Sequence, residues 1–165
     1  MITSKMAGML NAQLNKEYFS SYSYLAMAAY CADQSFEGFA NWFRVQSQEE
    51  HIHALKFYDY LQSQQARVEL KAIQAPVAEF SSVCDAATQA LKQEQSVTKS
   101  IYEIYALADE ERDYATKNFL NWFVAEQVEE EASAQLLVDK LQMIGESKGS
   151  LLYLDKEAKK RTLAE

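Results

Sequence analysis

Six residues with carboxylate, amide or imidazole side chains lie inside the apolar stripes of four predicted helices. They are Glu17, Glu50, His53, Glu94, Gln127 and Glu130. An unpaired carboxylate is very costly to bury, and no lysine or arginine stands at a matching inner position of these stripes. Metal ions are the remaining counter-charge. Carboxylate oxygens with one imidazole suit iron, manganese or zinc, and an open site without thiolates suits redox iron. We therefore predict a metal centre inside a helical bundle.

Two of these residues form a Glu-x-x-His motif, Glu50 and His53. Three residues turn a helix by roughly 300°, so both side chains share one face and can bind one ion. The fourth predicted helix carries Gln127 and Glu130 at the same spacing. Glu17 and Glu50 are as far apart in the sequence as Glu94 and Gln127. This equal spacing indicates a two-fold repeat of the ligand pattern.

The apolar periodicity predicts an all-α fold of four long helices and a short fifth C-terminal helix. The predicted bounds are about 5–33, 35–64, 82–108, 113–143 and 151–163. Ser35, Ser82 and Asp113 are the predicted N-terminal caps, and Gly145 is the predicted stop of the fourth helix. The long connection over about residues 65–80 lets two neighbouring helices run parallel, so we expect a four-helix bundle with one crossover.

Composition and charge narrow the class of protein. The chain has 165 residues with only 4 Gly and 1 Pro, which suits one helical domain over residues 1–165. A net charge of −8 and scattered basic residues exclude a nucleic-acid surface. The longest weakly polar stretch is too short to span a membrane, and the N-terminal residues lack the apolar region of a signal peptide. We expect a cytoplasmic protein in which Cys31 and Cys84 are free thiols.

Several segments resemble those of the non-haem bacterial ferritins, members of the ferritin-like di-iron carboxylate family. They are Asn15-Lys16-Glu17-Tyr18, Phe36-Glu37-Gly38, Gln48-Glu49-Glu50-His51-Ile52-His53, Glu94-Gln95, Glu126-Gln127-Val128-Glu129-Glu130-Glu131 and Tyr153-Leu154-Asp155-Lys156-Glu157. The resemblance covers essentially the whole chain. It implies a ferritin-like bundle, with two Glu residues and two Glu-x-x-His-type motifs as the ligand plan.

The resemblance implies iron storage and detoxification by a ferroxidase. Glu17, Glu50 and His53 would bind the first iron, and Glu50 would bridge to a second iron completed by Glu94 and Glu130. Two Fe²⁺ ions would be oxidised by O₂ or H₂O₂, and Fe³⁺ mineral would collect inside a hollow shell of twenty-four subunits. The short fifth helix would then cluster around the four-fold axes of the shell. Its apolar residues, such as Leu151, Leu152 and Leu154, would be exposed on a lone bundle.

Six further positions carry implied roles beside the di-iron centre. Gln127 would be a hydrogen-bonding or weak ligand, and Tyr24 would be an extra electron donor. Glu49, Glu126 and Glu129, together with the second-site Glu130, match the third, inner-surface iron site of this family. Trp122 would either share the role of Tyr24 or be an ordinary core or interface aromatic.

One departure concerns haem. Haem-containing relatives carry a methionine directly after the Glu of the Glu-x-x-His motif, whereas this chain has His51 there. His51 points about 100° away from Glu50, off the metal-binding face, so we predict a surface or interface histidine and no haem. In the fourth helix, Gln127 and Glu130 stand where a second Glu-x-x-His motif would be. A weaker, neutral ligand favours iron that leaves the site and argues against two irons kept as a permanent cofactor.

Three alternative functions fit parts of the pattern. A small-molecule di-iron oxidase would retain its iron and need a substrate pocket, for which little chain remains. A miniature ferritin that coats DNA would lack the fifth helix and often carry a basic tail. A metal-free adaptor bundle would bind no iron and would tolerate changes at Glu17 or Glu94.

Overall fold

The computed structural model describes residues 1–163 as five helices, with no strand in that range. The helices are α1 (Ser4–Asp33), α2 (Glu37–Ser63), α3 (Val83–Glu110), α4 (Tyr114–Ile144) and α5 (Lys148–Ala158). Helix α1 packs chiefly against α2, and α3 against α4, each pair joined by a three-residue loop. One long connection, residues 64–82, joins the pairs. The predicted all-α bundle with one crossover and a short fifth helix is confirmed.

Three helix ends lie where local sequence signals predict them. The Ser82 side chain accepts a hydrogen bond from the Asp85 amide at 3.0 Å, and the Asp113 side chain does the same for Thr116 at 3.0 Å. Gly145 ends α4 with a φ of 53°, in the left-handed region that glycine tolerates. These three predictions are confirmed. They succeed because each signal is contained within one helical turn.

The predicted cap at Ser35 is wrong. Ser35 has a φ of 65° and lies outside α2, and the residue at the N-cap position of α2 is Phe36, which offers no side-chain hydrogen bond. The Phe39 amide instead donates to Asp155 Oδ1 of α5 at 2.9 Å. The cap of α2 therefore comes from more than a hundred residues further along the chain, which local spacing does not reveal.

The crossover is tied to α1 by two asparagine side chains. Asn11 donates to the Arg67 carbonyl at 2.9 Å and accepts from the Glu69 amide at 2.7 Å. Asn15 donates to the Glu69 carbonyl at 2.8 Å and accepts from the Lys71 amide at 2.7 Å. A segment without helix thereby finds partners for its backbone polar groups.

Helix α5 begins and ends earlier than predicted. Ser147 accepts a hydrogen bond from the Ser150 amide, so the helix starts at Lys148, three residues before the predicted start. Leu151 and Leu154 pack against the core of the bundle, whereas Leu152 is 60% exposed. The expectation that all three leucines would be exposed on a lone bundle is wrong for Leu151 and Leu154, because α5 folds back onto α2.

Gly38 lets α5 lie directly on α2. A Cβ atom at this position would be 1.6 Å from the Asp155 backbone oxygen. Any other residue would push α5 away, so this glycine is required by a close approach and not by its backbone angles. The two segments in which Gly38 and Asp155 lie both carry the family resemblance, and here they are in contact.

Two apolar clusters fill the bundle and leave a polar layer between them. One cluster contains Tyr24, Cys31, Phe39, Phe43 and Leu141, among others. The other contains Met6, Leu10, Phe57, Ile101, Leu120 and Phe123, among others. The layer between them holds the buried acids and amides.

Two smaller predictions about the chain are also answered. Cys31 and Cys84 are free thiols, as expected. Within residues 1–163, no helix combines the length and apolar character that crossing a membrane requires.

Candidate metal centre

All four long helices contribute side chains to the polar layer. Each of the six inner residues predicted from the sequence is at most 5% exposed: Glu17 on α1, Glu50 and His53 on α2, Glu94 on α3, Gln127 and Glu130 on α4. Tyr24 on α1 is also fully buried. The amphipathic periodicity of each helix therefore brings the interrupting acids to one level of the bundle.

The first ligand group consists of Glu17, Glu50 and His53. One ligand atom from each lies within 4.8 Å of the others, and His53 Nδ1 is 3.5 Å from Glu50 Oε2. Glu17 Oε2, both carboxylate oxygens of Glu50 and His53 Nδ1 are buried and have no hydrogen-bond partner among the described residues. Such atoms are costly to bury without a partner. Their convergence makes the group a ready site for a cation.

The second ligand group shares His53 with the first. One atom each from His53, Glu126 and Glu130 lies within 4.8 Å of the others, and His53 Nε2 is 3.8 Å from Glu126 Oε1. The two nitrogens of the imidazole therefore face different carboxylates. Glu126 had been assigned only to the third iron site, whereas the structure brings it close to both His53 and Glu130.

Glu94 lies outside both groups, and neighbouring side chains hold both of its oxygens. Its Oε1 accepts a hydrogen bond from the Tyr24 hydroxyl, and its Oε2 accepts one from Gln127 Nε2 at 3.2 Å. The same Gln127 nitrogen is 3.2 Å from Thr98 Oγ1. Glu94 is thus oriented from both sides, and Gln127 acts toward it as a donor.

Two further amides orient the carboxylates and were not assigned from the sequence. Gln13 Nε2 donates to Glu17 Oε1 at 2.7 Å, and Gln46 Nε2 donates to Glu130 Oε2. Both glutamines are fully or almost fully buried. Gln13 precedes Glu17 by one helical turn, a spacing that places both on one face and that could have identified it.

Burial controls the charge of the centre. It raises the pKa of Glu17 to about 7 and that of Glu130 to about 8. The pKa values of Glu50 and Glu94 are also raised, mainly by burial. Burial lowers the pKa of His53 to about 4, so its imidazole is neutral and available at pH 7. A cation must therefore displace protons from the carboxylates but not from the histidine.

The inner carboxylates have no basic partner. No lysine or arginine forms an ion pair with Glu17, Glu50, Glu94 or Glu130 among residues 1–163. The charges of Lys16 and Arg161 act on Glu17 and Glu130 without an ion pair, and they offset only part of the increase in pKa that burial causes.

The remaining predicted acids lie on the outer side of the same layer. Glu129 is exposed, and Glu49 is partly buried. The pKa of Glu126 is raised by burial and then by the neighbouring charges of Glu129 and Glu49. Glu49 is not free, because Arg161 Nη2 lies 2.6 Å from its Oε2. The apolar periodicity of the helices did not predict this contact, because Arg161 lies after the last helix.

His51 and Trp122 lie at the edge of the centre. His51 is exposed, and its ring centroid is 5.6 Å from that of Tyr18. Trp122 is 40% exposed, with its centroid 5.3 Å from that of His53. The Lys56 ammonium lies over the Trp122 ring at 4.2 Å. The prediction that His51 points away from the metal-binding face agrees with this position.

A bundle of four long helices with acids and one histidine gathered at mid-length defines a ferritin-like protein. The family model Ferritin, a ferritin-like domain, matches residues 7–144. The chain therefore belongs to the ferritin family, and this membership supports a role in iron storage.

Within this family the chain is similar to bacterial non-haem ferritins. It is 42% identical to the one from Staphylococcus aureus (strain MRSA252), over all of this chain and 99% of the relative. Among solved structures, an open-pore ferritin from the hyperthermophilic archaeon Archaeoglobus fulgidus superposes with a TM-score of 0.97 at 48% identity, covering 98% of this chain and 100% of that chain. A humanized archaeal ferritin superposes with a TM-score of 0.98 at 46% identity over both full chains.

Proposed function

We propose that the protein is a ferroxidase that stores and detoxifies iron. Each subunit binds two Fe²⁺ ions, oxidises them with O₂ or H₂O₂, and passes Fe³⁺ to a mineral inside a hollow homo-oligomeric shell of 24 subunits. One observation carries the proposal. The ligand group of Glu17, Glu50 and His53 coincides with buried oxygen and nitrogen atoms that have no partner among the described residues.

The first iron is bound by Glu17, Glu50 and His53, and the second by Glu50, Glu94 and Glu130. Both oxygens of Glu50 lack hydrogen-bond partners within residues 1–163, as a bridging carboxylate requires. Burial, and after it the charges of Glu94, Glu17 and Glu130, raise the pKa of Glu50. Two adjacent cations would relieve this repulsion.

The protein supplies geometry, and iron supplies the electrons. Gln13, Gln46 and Tyr24 each hold one oxygen of a different carboxylate, so the free oxygens keep their direction without bound metal. Tyr24 also acts as an additional electron donor. Its hydroxyl donates to Glu94 Oε1, so the proton that leaves when the tyrosine is oxidised has an acceptor in place.

Iron leaves through the outer acids. Burial decreases stepwise from Glu130, which is 5% exposed, to the partly buried Glu126 and the exposed Glu129. These residues and Glu49 form the third metal site, here called the outer site. Gln127 is a neutral residue beside the pair, and it holds iron less firmly than a carboxylate would.

The remaining proposals concern the setting of this chemistry. The whole chain acts as one ferritin-like domain in the cytoplasm, without nucleic-acid or membrane partners. The non-haem assignment follows from His51, which occupies the position after Glu50 and is exposed beside Tyr18.

The first experiment loads the protein with a large excess of Fe²⁺ in air and separates the product by size. We expect soluble iron to co-elute with protein as a particle far larger than one 18.8 kDa chain. Two or fewer irons on a monomer or dimer would contradict storage and favour a small di-iron oxidase. No bound iron at all would favour the adaptor bundle.

The second experiment replaces Glu50 with Ala. We expect initial Fe²⁺ oxidation, measured by stopped-flow absorbance, to slow by about 100-fold or more, because loss of even an outer-shell metal partner costs 10- to 100-fold. The control is Asp59→Ala, which removes an exposed acid from the same helix. Normal oxidation by the Glu50→Ala variant would disprove the assignment.

A further inference from the structure

Arg161 places a positive charge on the rim of the metal centre. Its Nη2 is 2.6 Å from Glu49 Oε2, and its guanidinium carbon lies 4.3 Å from the Trp42 ring centroid. The two charged side chains are only 20% and 13% exposed. A largely buried ion pair with a stacked guanidinium is a defined contact and not a transient surface pair.

The main chain holds this arginine in place independently of Glu49. Asn41 Nδ2 on α2 donates to the Arg161 carbonyl at 3.0 Å. Arg161 follows Asp155 by six residues (161 − 155), and Asp155 lies at the close approach of α5 to Gly38, where its Oδ1 accepts from the Phe39 amide at 2.9 Å. The segment from Asp155 to Arg161 is therefore bound to α2 by contacts other than the ion pair with Glu49. It stays bound to α2 if that ion pair opens.

The guanidinium pairs with one acid, Glu49, and keeps one of its terminal nitrogens unpaired within residues 1–163. Among residues 1–163, Arg161 is the basic residue that forms an ion pair with an outer-site acid. Its second terminal nitrogen, Nη1, is buried and has no hydrogen-bond partner in that range. After burial and the charge of Glu94, the charge of Glu49 raises the pKa of Glu130 and that of Arg161 lowers it, as expected for a pair near this inner acid.

We propose that Arg161 is a built-in counter-cation that a metal ion must displace before it can bind Glu49. The inference rests on the outer site proposed above. A metal ion and a guanidinium compete for the same carboxylate oxygen, so Arg161 weakens metal binding at the outer site. Iron that arrives there is held briefly and passed on. The C-terminal segment thereby sets how long the outer site stays occupied.

The test uses Zn²⁺, which does not change oxidation state, and Trp42 fluorescence. The chain has two tryptophans, so Trp122→Phe leaves Trp42 as the only reporter. In this background we expect Zn²⁺ beyond the first two ions to bind weakly and to change Trp42 emission as the guanidinium leaves the ring. Adding Arg161→Gln should tighten that later binding by at least about tenfold and abolish the late emission change.

Matched variants separate the ion pair from the fold. Lys160→Gln removes a neighbouring exposed cation that pairs with Glu157 and should behave like the parent. Arg161→Lys retains the charge and should retain weak binding. Glu49→Gln removes the acceptor, so the metal-free protein should already show the Trp42 emission that Zn²⁺ produces in the parent.

The outcomes distinguish this inference from the proposed function. Equal affinity for the later Zn²⁺ with and without Arg161 overturns the role of Arg161 and leaves the outer site intact. No binding beyond two Zn²⁺ in either protein overturns the outer site, and the inference with it, while the di-iron centre stands. Weaker later binding in Arg161→Gln also overturns the inference, because it would make the arginine a support for the site.

Discussion

Glu17 and Glu130 are each held at one oxygen by an amide, whereas Glu94 is held at both oxygens, by Tyr24 and Gln127. Gln13 fixes Glu17, and Gln46 fixes Glu130. Glu50 has no hydrogen-bond partner at either oxygen within residues 1–163, which is the arrangement expected of a carboxylate that would bridge two metal ions. The metal-free protein therefore keeps its ligands pointing inward without filling their coordination positions, which reduces the rearrangement needed when a metal ion binds.

Metal affinity should increase with pH between about 6 and 8.5. Glu17 has a pKa of about 7 and Glu130 one of about 8, so both carry protons that a metal must displace at the lower pH. His53, with a pKa of about 4, adds no competition in this range. We expect the Kd for Zn²⁺ to fall by roughly tenfold per pH unit below a single competing pKa.

Calorimetry in two buffers of different ionisation enthalpy would measure the released protons directly. Glu130→Gln should release fewer protons per metal than the parent at pH 7. An affinity that stays constant across this pH range, with no proton release, would contradict the raised pKa values.

Replacing Gln127 with Glu should increase the metal affinity of the centre and slow the release of metal from it. The change removes the donor to Glu94 and buries another carboxylate beside it, so the metal-free protein should be destabilised. An additional anionic ligand should tighten Zn²⁺ binding about tenfold and slow iron turnover after the first oxidation. Gln135→Glu adds the same charge at an exposed position of α4 and is the control. Faster turnover in Gln127→Glu would contradict the proposed role of a neutral residue.

The sequence alone predicted the acids but not what orients them. Glu17, Glu50 and Glu94 stand out because they interrupt apolar stripes, which is a property of single helices. Gln46 contacts Glu130 on another helix, and Arg161 reaches Glu49 from beyond α5. Such pairings depend on how helices are placed against one another, which stripe periodicity does not specify.

At the scale of elements, the short α5 controls the start of the helix that carries Glu50 and His53. Its Asp155 supplies the hydrogen-bond acceptor that Phe36 does not offer to α2. An N-terminal cap typically contributes about 1 kcal/mol. The docking of α5 therefore stabilises α2 as well as positioning Arg161.

Gly38→Ala should displace α5. The new Cβ would meet the Asp155 backbone at 1.6 Å, and backbone cannot rotate away as a side chain can. We expect Tm to fall by at least about 5 °C, since 1 kcal/mol corresponds to roughly 2–4 °C at this size, and Trp42 emission to change as Arg161 leaves its ring.

Gly8→Ala provides the matched control for Gly38→Ala. Its Cβ would meet nothing within 4 Å in the helix α1, so this change should leave Tm equal or slightly higher, because alanine favours helix more than glycine. An unchanged Tm and unchanged Trp42 emission in Gly38→Ala would show that α5 is not packed as described.

The elements themselves were predictable where their signals are local. Ser82, Asp113 and Gly145 mark helix ends through contacts within one turn. Ser35 failed as a cap because the chain takes a left-handed turn there, and α2 is capped by Asp155 from far along the chain. The path of the crossover depends on asparagines of α1, a pairing between segments that periodicity cannot show.

At the scale of the whole molecule, the layer of buried acids lies between two apolar clusters. The clusters bury large side chains such as Phe43 and Phe57 on either side of the acids. Apolar burial on both sides can offset the cost of a polar layer with missing partners. The fold thereby keeps a layer of acids that is costly to bury and that a bound cation would stabilise.

The stability of the metal-free protein should therefore fall as pH rises. Glu17 and Glu130 have folded-state pKa values of about 7 and about 8, above the ordinary 4.5. A raised pKa contributes stability below the unfolded value, and that contribution is lost as pH rises through the folded value. We expect the Tm of the metal-free protein, measured by calorimetry, to decrease by at least about 5 °C between pH 5.5 and 8.5.

Zn²⁺ should remove or reverse this pH dependence. It neutralises the same carboxylates, and stabilisation by a ligand grows as its affinity increases with pH. A double variant, Glu17→Gln with Glu130→Gln, should flatten the metal-free profile because neither side chain titrates. If the metal-free protein were instead as stable at pH 8.5 as at pH 5.5, the acids would already have a counter-charge, and the need for metal in this layer would disappear.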